Sequence, residues 1–163
     1  MLIEKIIIKL NIITLAVKMN SIYLITKIAI NISVLLSANS KYTLLCIGRQ
    51  GFNEDIISMS GLSSKLNYWI VPKIIFTSIF NHYFSNIVYK EIHVEYHTRK
   101  GLADKKRRYK VFIDQLLDAL LLEKNINAVI SGNYVYAWQQ EIASCCLDKG
   151  IPFIVIHKEG MTT

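Results

Sequence analysis

The sequence predicts an α/β fold, an open and mostly parallel sheet flanked by helices, and three observations carry that prediction. Ala128-Val129-Ile130 is an apolar run, a helical pattern follows over Tyr136–Lys149, and a second apolar run covers Phe153–Ile156. Strand, helix and strand within about thirty residues make a βαβ unit, which requires parallel pairing and a right-handed crossover. Tyr42–Ile47 is a short apolar run stopped by Gly48, the pattern of a strand buried on both faces. Phe112, Ile113, Leu116, Leu117, Leu120 and Leu121 form one apolar stripe between Asp104 and Lys124, as a helix covering such a sheet requires. Together they describe a Rossmann-like domain over residues 41–163, preceded by an amphipathic helical extension over residues 1–40.

The remaining elements follow in chain order. Residues 1–40 are rich in Ile and Leu, but Lys5, Lys9, Lys18 and Lys27 interrupt them, and the longest uncharged stretch, Ile28–Ser40, has 13 residues. A bilayer span needs roughly 20 apolar residues. The segment is therefore expected to form one or two amphipathic helices that either pack on the domain or lie on a membrane face. Met1 and Met19 are both candidate start residues. After Gly48, Asn53 is a helix cap, with Glu54 and Asp55 in the first turn and Gly61 ending the helix. Leu66–Val71 reads as a strand stopped by Pro72, Ile74–Phe84 as a helix, and Glu91–His97 as a half-buried strand because its apolar residues alternate. Lys124 and Asn125 close the long helix, and Gly150 with Pro152 closes the next one.

Composition excludes several classes. With 163 residues and 52% apolar content, the chain has the size of one domain and enough apolar material for a core, which rules out disorder. Cys46, Cys145 and Cys146 are odd in number and two are adjacent, so they form no disulfide framework and suit a reduced, cytoplasmic setting. Net charge is +7, concentrated in Arg99–Lys110, where seven basic residues face one acid, Asp104. Lys105, Lys106, Arg107 and Arg108 in that run read either as a solvated helix start or as a surface for anions: phosphate esters, acidic lipid or nucleic acid. Basic and aromatic residues do not interleave as in RNA-binding modules, which ranks nucleic acid last.

Ligands of open parallel sheets bind beyond the carboxyl ends of the strands, and three loops stand there. Gly48 and Gly51 belong to a turn that is structural or lets backbone N–H groups approach a ligand, although the spacing matches neither a dinucleotide fingerprint nor a P-loop. Ser131, Asn133 and Tyr134 supply a hydroxyl, an amide and a phenol, the donors and acceptors a sugar requires, or else a helix cap and a packing tyrosine. His157-Lys158-Glu159-Gly160 places a base, a cation and an acid after a buried strand. There His157 could take a proton from an acceptor hydroxyl, Lys158 meet a phosphate, and Glu159 orient the imidazole, bond a sugar or serve as the base itself. His93 and His97 lack the glutamate pattern of zinc proteases, and no metal site is expected.

Ala128–Tyr134, Gln139-Gln140-Glu141, Gly150–Phe153 and His157–Gly160, with Asn53-Glu54-Asp55 and Ser60-Gly61, resemble the N-terminal domain of bacterial surface-polysaccharide proteins. Those are similar to GT-B glycosyltransferases, near the capsule-biosynthesis and CDP-glycerol glycerophosphotransferase families. The likeness runs from Tyr42 to Gly160. It implies half of a GT-B-type fold, an acceptor-binding domain whose His157, Glu159 and Asn133 face a cleft, with the second domain missing from this chain and the half inactive alone. No cofactor is expected on this half, since a nucleotide-sugar donor would need that second domain. The implied partners are a saccharide or lipid-phosphate acceptor, a partner domain, and the anionic inner face of a membrane. A stand-alone module for a nucleotide or other anionic ligand, and a basic membrane- or nucleic-acid-associated protein, are the competing readings.

Overall fold

The computed structural model describes residues 11–36, 40–48, 51–62, 64–84, 100–132 and 137–156. The expected strand at Glu91–His97 lies outside them. The chain begins with helix α1 over residues 11–18 and α2, Ile22–Ile32. Asn20 adopts a left-handed φ of 51° between them, and Ser21 caps α2 by accepting the Leu24 N–H at 3.3 Å. The amphipathic pattern here serves the core: Ile13, Ala16, Val17, Ile25 and Ala29 are all buried against the rest of the chain. A short strand β1, Val34–Leu36, lies inside the uncharged stretch, where helix alone was expected. It pairs antiparallel with a strand more than thirty residues later, a long-range partner that local periodicity does not encode.

Strands β2 (Tyr42–Gly48), β3 (Leu66–Pro72), β4 (Ile126–Ser131) and β5 (Phe153–Val155) are mutually parallel, and among the described residues the sheet order is β1-β3-β2-β4-β5. The sheet is therefore mixed but mostly parallel. β2 is central, and six of its seven residues are buried, as its unbroken apolar run requires. The pairing expected between the last two strands is present, with Val129 opposite Phe153 and Ile130 opposite Ile154.

The helices are α3 (Phe52–Leu62), α4 (Ile74–Phe84), α5 (Ala103–Lys124) and α6 (Ala137–Asp148). Asn125 ends α5 in the left-handed region at φ 49°, and Gly150 does the same after α6 at φ 67°. Two details differ from expectation. α3 starts at Phe52, so Asn53 lies within the first turn instead of capping it, and the helix runs past Gly61 to Leu62. A glycine inside a helix costs about 0.5–1 kcal/mol but does not by itself stop one.

The two faces of the sheet bury separate clusters. Leu45, Ile47, Trp69, Val71 and Val129 face α1, α2, α4, α5 and α6. Leu44, Cys46, Tyr68, Ile70, Ala128 and Ile130 face Phe52 and Ile56 of α3. On the first face an aromatic group joins α4 to α5: Phe80 and Phe84 meet Tyr109 at 5.4 and 5.7 Å between ring centroids, and Tyr83 meets Phe112 at 6.1 Å. Trp69 Nε1 donates to Ser33 Oγ, which ties the turn before β1 to the sheet.

Candidate functional site

Adjacent parallel strands whose following helices go to opposite faces leave a crevice between their carboxyl ends. β2 and β4 are such a pair. β2 leads into α3 on one face, while β4 leads into α6 on the other. Ile47 stands opposite Ser131 at the last rung, so Gly48 and Gly132 are the next residues out on either side.

Both glycines admit α3 close to the strand ends. A Cβ on Gly48 would lie 2.6 Å from Ile70 Cγ2 and 2.7 Å from Asn53 Oδ1, and one on Gly132 would lie 3.2 Å from the Phe52 ring. Gly51 needs its glycine for a different reason, a φ of 80°. Backbone bonds stitch this edge: Lys73 N–H donates to Gly48 O at 2.8 Å, and Ile156 N–H donates to Ser131 O at 2.9 Å.

Two amide side chains flank the crevice. Gln139, in the first turn of α6, is 2% exposed and donates from Nε2 to Ser131 Oγ at 2.7 Å. Its other atom, Oε1, is buried with no hydrogen-bond partner among the described residues, and so is Oδ1 of Asn53 on the α3 side. Amide oxygens only accept hydrogen bonds. Leaving each without a donor costs about 1–3 kcal/mol. Two uncharged acceptors thus lie buried on opposite sides of a topological switch point, and an O–H or N–H donor that reached them would satisfy them.

Of the residues expected here, Gly48 and Gly51 stand at the crevice. Asn133, Tyr134, His157, Lys158 and Glu159 lie outside the described residues, although the strands that lead to them, β4 and β5, are neighbours. Asn53 as a site residue and the role of Gln139 were missed. The available signal was a polar residue on the buried face of each helix: Gln139 follows Ala137 and Trp138, which are both in the core.

The basic run occupies the first turns of α5. Lys105 and Lys106 are half-buried, whereas Arg107 and Arg108 are exposed. Arg107 bonds Asp104 at 2.7 Å and so holds that carboxyl below the usual range, and Arg108 lies 6.0 Å from the Tyr83 ring centre. Lys110 turns away to Ser144 Oγ and Asp148, each at 2.9 Å.

Nucleophilic thiol chemistry finds no support. Burial pushes Cys46, Cys145 and Cys146 up to about 12, and a thiol that high holds almost no thiolate at neutral pH. Among the described residues no group of three or more His, Cys, Asp or Glu side chains gathers as a metal site, and no helix is long and apolar enough to cross a membrane. No protein-family model, curated protein or solved structure matches this chain.

Proposed function

We propose that this chain is the acceptor-side half of a glycosyltransferase-like protein of envelope polysaccharide biosynthesis, holding a polyhydroxylated acceptor at the crevice between β2 and β4. The observation that carries the proposal is the pair of buried amide oxygens, Asn53 Oδ1 and Gln139 Oε1, one on each side of the switch point and both without a hydrogen-bond partner among the described residues. Sugar hydroxyls supply the donors these atoms lack, and an uncharged, hydrogen-bonding edge discriminates by hydroxyl geometry more than by charge.

In this reading the loops after β4 and β5 complete the site. Asn133 and Tyr134 bond the sugar, and Lys158 meets a phosphate on a lipid-linked acceptor. His157 removes the proton as the acceptor oxygen attacks the anomeric carbon, while Glu159 holds the imidazolium that forms. The bond to the nucleotide breaks in the same step, and the donor belongs to a second domain. The same half-fold relation to GT-B enzymes is part of the proposal.

A thermal-shift and titration series tests it, because a ligand that binds only the folded chain raises its unfolding temperature. Neutral oligosaccharides are expected to stabilise the chain, and Asn53→Ala and Gln139→Ala to abolish the response. Stabilisation by free nucleotides with saccharides inert would replace this reading with that of a stand-alone nucleotide-binding module.

A further inference from the structure

A second ligand-sized space lies apart from the crevice. It is a pocket of about 450 Å³ where α1, α4 and α5 meet. α4 starts at the carboxyl end of β3 and runs back along the sheet, so its last turn lies about 12 Å from that edge. The pocket's charged lining consists of Lys18 from α1, His82 from α4, and Arg107 and Arg108 from α5, with Asn20 and Gln115 adding amides. Among the described residues that line it there is no acid.

The contrast with the neighbouring space is informative. A second pocket, about 410 Å³ and also lined by α5, shares Arg107, Val111 and Gln115 with the first and adds Lys110 and Lys149. There both lysines are already neutralised: Lys110 by Asp148 at 2.9 Å, and Lys149 by Asp114 and Asp118 at 2.9 and 2.7 Å. Among the described residues, the one acidic partner of the first pocket's cations is Asp104, on Arg107, and that pair is exposed to solvent. Three helices thus bring like charges together in a concavity, an arrangement that repels itself and that an anion relieves. Arg108 lies against the Tyr83 ring, which restricts the guanidinium while leaving its N–H edge available.

We infer that this pocket binds a phosphoryl group, carried by a small phosphate ester or by a phosphomonoester lipid headgroup, through Lys18, His82, Arg107 and Arg108. The space exceeds what the phosphate alone needs, so part of the esterified group enters with it and lies against Val17, Val111 and Phe112. His82 adds pH dependence. Burial, then Lys18, then Arg108 lower its pKa, and Arg107 and Tyr83 are the other ionisable groups of the lining among the described residues. A bound anion reverses the repulsion, so binding takes up a proton and weakens as pH rises.

Isothermal titration of the full chain with glucose 1-phosphate, and flotation with phosphatidylcholine vesicles containing about one fifth phosphatidic acid, separate the free and lipid-borne sources. Saturable binding to either probe supports the pocket. Arg107→Gln/Arg108→Gln is expected to weaken binding by at least about tenfold. Lys105→Gln/Lys106→Gln removes equal charge from the same helix outside the pocket and is expected to change it by less than about threefold. Equal losses in the two variants, or no saturable binding to either probe, would overturn the inference. Should the arginine variant fail to fold, Lys18→Gln carries the same test. With sulfate, whose charge is constant, affinity is expected to fall between about pH 5.5 and 8. The slope disappears in His82→Gln, and an unchanged slope there removes His82 from the site.

Discussion

The crevice and the basic pocket are built in opposite ways. The crevice is made by topology: two neighbouring strands send their helices to opposite faces, close approach of α3 at Gly48 brings the Asn53 amide to the gap, and Ser131 holds the Gln139 amide on the other face. The pocket is made by charge: three helices converge with cations that, among the described residues, have no acid beside them in its lining. The first is suited to hydroxyl geometry and should tolerate salt. The second is suited to charge and should weaken as ionic strength rises. The two proposed recognition chemistries can therefore be perturbed separately.

The largest expected effect tests whether the pocket is rooted in the core. Phe112 lines it yet is 1% exposed and packs on Tyr83, so Phe112→Ala should cost about 3–5 kcal/mol in urea unfolding. A cost under about 1 kcal/mol would mean that the pocket wall is loose and the comparison fails. Next, Gly48→Ala forces a Cβ onto Ile70 and Asn53 and should cost about 1–3 kcal/mol. Gly61→Ala meets nothing within 4 Å inside α3 and should stabilise by about 0.5–1 kcal/mol. If the two alanines behave alike, close approach does not shape the crevice.

A smaller effect concerns the amide network. Ser131→Ala leaves Gln139 Nε2 without its acceptor and should cost about 1–2 kcal/mol by the same measurement. The smallest separates the pocket through pH alone. His82 has a lowered pKa in the native state, chiefly by burial. Above about pH 6.5 the side chain is neutral in both states and contributes nothing. Below that the unfolded chain takes up the proton first, so stability falls with pH, and His82→Gln should flatten that part of the profile.

Much of the sheet was legible because its signals are local. Apolar runs at Tyr42–Ile47 and Ala128–Ile130, and the glycine stop at Gly150, fix strands and helix ends without reference to distant residues. β1 was not legible, since three residues become a strand only when Tyr68–Ile70 lies beside them. The sites divide the same way. Arg107 and Arg108 announce themselves in a charge run, and Gly48 in a strand stop. Lys18 and His82 carry no local mark, and only the meeting of α1, α4 and α5 places them in one pocket. Asn53 looked like a cap because asparagine before acidic residues usually is one. Here the helix begins one residue earlier, and the side chain faces Gly48 instead.

The antiparallel strand β1 has a consequence for biosynthesis. Val34–Leu36 leaves the ribosome well before Tyr68–Ile70, and α2 emerges long before α5, where Lys27 reaches Glu123 at 3.5 Å. At about 5–20 residues per second, the greasy amino-terminal helices wait several seconds for the chain that will cover them. Nascent chains stalled before the codons for α5 should therefore be the ones that recruit holdase chaperones, and release should coincide with its emergence from the exit tunnel.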